Sequence, residues 1–95
     1  MGLNVCVETL ARQRHPRWDD GRYAGDRQLF AIADAVPRID YVADPGVGGA
    51  NDWYWRPTDF AAFRAADWPE ENTERWKLLA DILEEDETYW IYLSI

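Results

Sequence analysis

Apolar and polar residues alternate at the start of the chain. Leu3, Val5 and Val7 fall on one side of an extended segment, and Asn4, Cys6 and Glu8 on the other. A period of two is that of a strand with one buried face. A second β-branched and aromatic run, Thr88-Tyr89-Trp90-Ile91-Tyr92-Leu93-Ser94-Ile95, suits another strand, and pairing it with the first ties both ends of the chain into one sheet. Between them helical spacing takes over. Leu29, Ile32, Ala33 and Val36 predict a helix over 27–36, capped by Asp26 and stopped by Pro37. Phe60 and Phe63 predict a short helix with Thr58 as its N-cap. Trp76, Leu79 and Leu83, broadened by Leu78 and Ile82, predict the longest one, over 69–85.

The densest stretch is Asp52-Trp53-Tyr54-Trp55-Arg56-Pro57. Aromatic side chains bury about 150–250 Å² each, so other elements or a ligand must close over it. As a strand it sends Trp53 and Trp55 to one face and Tyr54 and Arg56 to the other. Ile39-Asp40-Tyr41-Val42 adds a shorter strand. Loops are expected at 11–25, rich in arginine and turn formers, and at Asp44-Pro45-Gly46-Val47-Gly48-Gly49-Ala50-Asn51. The pattern predicts one α+β domain over 1–95: a small antiparallel sheet, including the N- and C-terminal strands, packed against two or three helices.

Charge then narrows the function. The net charge is −8, unevenly spread: residues 1–38 hold six arginines and five acids, whereas 39–95 hold four bases and thirteen acids. Such a field repels nucleic acid and anionic membrane and attracts a basic protein surface. No apolar run is long enough for a membrane span, and the first residues lack the basic region of a signal peptide, so a cytoplasmic protein is expected. Cys6, the single cysteine, sits in the apolar alternation and reads as a buried thiol.

The charge pattern singles out Glu84-Glu85-Asp86-Glu87, four acids at the expected end of a helix, where exposed carbonyls make negative charge unfavourable. Those residues are the expected partner-binding site, an acidic knob for an arginine- or lysine-lined groove. The alternative is a pocket for a nucleotide-like ligand, with Tyr54, Trp18 and Tyr23 stacking on a base and Arg56 gripping phosphate; against it stands the reading in which Trp53 and Trp55 are core, Tyr54 packs at its edge and Arg56 pairs with a nearby Asp. Catalytic signals are weak. His15, the only histidine, has no partner at metal-ligand spacing, and His15 with Asp19, Asp20 or Asp26 makes no recognisable triad. No enzyme activity, metal or cofactor is expected.

Met1-Gly2-Leu3-Asn4-Val5, Trp53-Tyr54-Trp55-Arg56-Pro57, and Glu71-Asn72 with Arg75-Trp76 ahead of a leucine-rich helix resemble a group of small phage and bacterial proteins that begin Met-Gly-Met/Leu-Asp and carry a Trp-x-Trp-Arg-Pro segment. The resemblance covers a fraction of the chain, departs at Asn4, and carries over no catalytic residue. It implies a phage or mobile-element origin, and with it the cytoplasm of a host cell. The expected function is a non-enzymatic, acidic protein-binding module: an anti-CRISPR-like inhibitor that offers carboxylates to the basic surface of a host nucleic-acid-binding defence protein. A nucleotide-sequestering protein and a toxin-neutralising immunity protein are the alternatives, and exposed aromatics could equally mark a homodimer seam.

Overall fold

A computed structural model describes residues 4–18, 28–42 and 53–94. Four strands, β1 (Asn4–Thr9), β2 (Arg38–Val42), β3 (Trp53–Pro57) and β4 (Tyr89–Ser94), form one antiparallel sheet in the order β1-β4-β3-β2. The helices are α1 (Gln28–Ala35), α2 (Phe60–Arg64) and α3 (Thr73–Glu85), the last preceded by a 3₁₀ turn at Glu70–Asn72. This is the expected α+β fold with its terminal strands paired, from Asn4↔Ser94 to Thr9↔Tyr89.

Alternation decides what lies on each face of the sheet. Val5, Val7, Trp55, Ile91 and Leu93 point to the side where α1 contributes Leu29, Ile32, Ala33 and Val36, α2 contributes Phe63, and α3 contributes Trp76, Leu79, Ala80, Ile82 and Leu83, all in one core. Cys6, Glu8, Tyr41, Tyr54 and Tyr92 belong to the opposite face, where Tyr54 lies 4.8 Å from Tyr92 and 6.1 Å from Tyr41 between ring centroids. Cys6 is buried, as its place in the alternation suggests.

Three local expectations need correction. Asp59, not Thr58, caps α2: its carboxylate accepts from Ala62 N at 3.0 Å, while Thr58 N is spent on Pro37 O at 2.8 Å. The longest helix starts at Thr73, since the residues after Pro69 form the tighter turn. Residues 9–15 are not simply a loop; they fold back along the outer edge of β1, with His15 N donating to Val7 O and Thr9 N to Gln13 O, through Arg12 at φ 66°. The proposed cap Asp26, Asp19 and Asp20, Tyr23 and the glycine-rich stretch 44–51 lie outside the described residues.

Candidate functional site

Each described helix ends without a glycine; a side-chain N–H from elsewhere in the chain closes it instead. Arg38 Nη1 donates to Ala33 O of α1 at 2.7 Å, and Trp68 Nε1 to Phe63 O of α2 at 2.8 Å. At the end of α3 the donor is Arg56, 27 residues earlier in sequence, whose Nη2 donates to Leu83 O at 2.6 Å. Its Nη1 donates to Asp86 O at 3.3 Å and to Tyr89 O. The register explains how the guanidinium gets there. Strands β3 and β4 pair from Trp53↔Leu93 to Trp55↔Ile91 and then part, and Arg56 fills the opening between them. Burial pushes the Arg56 guanidinium below its ordinary pKa, with Glu87 and Asp86 acting in the opposite sense. Arg56 therefore pairs with backbone carbonyls rather than with a nearby Asp. Its charge answers the negative end of the α3 dipole.

The four acids are all exposed, and Glu87 and Asp86 act electrostatically on the buried cation. Glu84 Oε1 lies 3.3 Å from Arg64 Nη2, which also holds Asp81 Oδ1 at 2.8 Å; those carboxylates, Asp81 first, raise the Arg64 pKa. Glu85 faces Arg17 at 3.6 Å. The Asp86 carboxylate accepts from both the backbone N (2.9 Å) and the hydroxyl (2.7 Å) of Thr88, bonds that hold its pKa below the usual carboxylate range. No salt bridge among the described residues engages Glu87. Glu84 and Glu85 are thus held only by exposed ion pairs, which contribute at most about 1 kcal/mol each.

The residues of the expected nucleotide pocket are not brought together. Trp18 belongs to the core on the helix side, its Nε1 donating to Val5 O at 2.9 Å and its ring carrying the Arg75 guanidinium 3.8 Å from the centroid. Tyr54 lies on the opposite face, 2 % exposed, its hydroxyl donating to the buried Glu8 carboxylate. That burial, then Glu8, raises the phenol's pKa. Arg56 is occupied as described, and Tyr23 lies outside the described residues. His15 accepts from Arg17 N at Nδ1 and stands edge-on to Tyr89 at 4.6 Å, a structural placement. Among the described residues no cluster suited to a metal ion occurs.

Two features escaped the sequence. The Glu8–Tyr54 pair joins residues 46 apart, and nothing in either neighbourhood signals the other. The helix-closing role of Arg56 had one faint signal: a cation inside an aromatic strand needs carbonyls or acids to be buried at all. Fold and site together define an acidic α+β domain whose charged end is organised around one buried arginine. Comparison with protein-family models, with curated proteins and with solved structures finds no match for the chain.

Proposed function

We propose that the protein is a non-enzymatic binding module that offers the end of α3 to a basic protein surface built for nucleic-acid phosphates, as a phage-type inhibitor of a host defence protein would. One observation carries the reading: Glu84, Glu85, Asp86 and Glu87 stay exposed while the backbone beneath them is held by Arg56. A preorganised anionic surface loses little entropy on docking. Residues 70–87 carry eight acids and two bases, a field that steers a cationic partner toward this end.

The test is capture of partners from bacterial lysate at low and high salt, followed by binding of the recovered protein to a Glu84→Gln/Glu85→Gln/Glu87→Gln variant. Asp86 is left intact because it holds the turn at Thr88. Weaker binding with a flatter salt dependence and an unchanged melting temperature supports the proposal. Equal affinity refutes it.

A further inference from the structure

We propose that the outer edge of β2 pairs antiparallel with the same strand of a second copy, joining two four-stranded sheets into one continuous sheet about a two-fold axis at Ile39. The two edges of the sheet differ. Residues 9–15 return along β1 and bond to it, His15 N donating to Val7 O, whereas no described residue pairs with the outer side of β2. Open edges invite pairing with another strand. This one also carries apolar surface: of the three large apolar side chains exposed among the described residues, Ile39 (48 %) and Tyr41 (46 %) stand on β2.

The ladder shows which backbone groups face outward. Pro57 has no N–H, so its pair with Arg38 is of the non-hydrogen-bonded kind, and Thr58 N donating to Pro37 O agrees. Ile39 and Tyr41 therefore spend their N–H and C=O on β3, and Arg38 and Asp40 turn theirs outward. With Ile39 opposite Ile39 of the second copy, Arg38 and Asp40 exchange main-chain hydrogen bonds with Asp40 and Arg38 across the axis. Opposite charges then face each other on one side of the sheet, while Ile39 meets its equivalent and Tyr41 lies over Pro37 on the other. Within one copy Arg38 Nε already holds Asp40 Oδ1 at 2.8 Å, so the dimer joins two such pairs into one network. Centring on Asp40 would set like charges directly opposite, and centring on Tyr41 would leave Arg38 outside the paired segment. The strand is complementary to itself in one register, which selects a second copy as the occupant. The edge carries one base and one acid, so the protein's net negative charge is not concentrated there.

A single strand pair buries little surface, so the dimer is expected to be weak. Sedimentation equilibrium from about 10 µM to about 1 mM is expected to show monomer giving way to dimer. The exposed reversal Asp40→Lys sets cations opposite Arg38 and is expected to weaken association about tenfold, with the melting temperature of the dilute variant checking its fold. Cross-linking with diamide reads the register separately. Ile39→Cys is expected to form a disulfide with its equivalent across a non-hydrogen-bonded pair, whereas Asp40→Cys and Tyr41→Cys, each offset from its own equivalent, are not. Buried Cys6 is common to all three. A protein still monomeric at about 1 mM, undiminished association of Asp40→Lys, or cross-linking through position 40 or 41 in place of 39 would each overturn the proposal. None of these readouts depends on the acidic end of α3.

Discussion

Replacing Arg56 with Met keeps the length and apolar stem of the side chain and removes its guanidinium. Three carbonyls then lose a donor: Leu83 O at the end of α3, Tyr89 O at the start of β4, and Asp86 O, which keeps Tyr89 N at 3.3 Å. Hydrogen bonds from a charged donor contribute about 1.5–3 kcal/mol, and a cation at a partly buried helix C-terminus up to about 2 kcal/mol. The desolvation that lowers the Arg56 pKa is no longer incurred in the variant, which offsets part of that loss. The net cost works out at about 3 kcal/mol, a large share of the roughly 5–14 kcal/mol expected for a domain of this size. At about 4–8 °C per kcal/mol, the melting temperature falls by about 15 °C. Arg56→Lys keeps the charge but not the fork that reaches separate carbonyls, and should lose about half as much. Urea unfolding followed by tryptophan fluorescence measures both. Because Asp86 and Glu87 lose the cation that acts on them, added salt should recover more stability in Arg56→Met than in the natural protein. A loss below about 1 kcal/mol at an unchanged m-value would show that water satisfies the carbonyls equally well, and the argument for Arg56 would fall.

Tyr54→Phe strips the buried Glu8 carboxylate of its hydroxyl donor and should cost about 1–3 kcal/mol in urea unfolding. The raised phenol pKa means that the folded state keeps its proton longer than the unfolded state, so the natural protein should lose stability as pH rises above the ordinary value near 10, and Tyr54→Phe should lose less. Asp86 has the opposite sign: its depressed pKa contributes stability that is present above the unfolded carboxyl range near 4 and fades as pH falls through the folded value. Asp86→Ala should flatten the acid limb of a melting-temperature profile. Asp59→Ala removes the cap on Ala62 N and should cost about 0.5–2 kcal/mol by thermal unfolding, whereas Thr58→Ala should cost less.

The elements were legible where the signal is local. Strands β1 and β4 follow from alternation and β-branched residues, and α3 from apolar positions three and four apart, because each pattern repeats within one element. Even the division of the aromatic stretch was readable: Trp55 goes to the core and Tyr54 to the other face. The site was less legible for a physical reason. Arg56 reaches carbonyls 27 to 33 residues away, through an opening that exists only because β3 and β4 part after three residue pairs. No spacing rule encodes such a contact. The cap of α2 failed more narrowly, since Thr58 and Asp59 both suit the position and the choice rests on which side chain meets Ala62 N.

Four acids at the end of α3 are misplaced only if that end is a bare negative pole. All three helices avoid being bare, and none uses the left-handed glycine that commonly terminates helices. Two are closed by guanidinium groups and one by an indole, so at the ends of α1 and α3 a positive charge sits where the dipole is negative. At α1 the charge of Arg38 is met at once by Asp40 at 2.8 Å and by Asp34 at 4.0 Å. At α3 the cation is buried and its hydrogen bonds go to carbonyls, leaving the four carboxylates facing solvent. Stability therefore draws on Arg56 at that place and on Asp86, which holds the turn at Thr88, whereas Glu84 and Glu85 contribute only exposed ion pairs and Glu87 makes none among the described residues. A fold that depends on the cation but hardly on the three glutamates leaves those glutamates free to be selected for a partner.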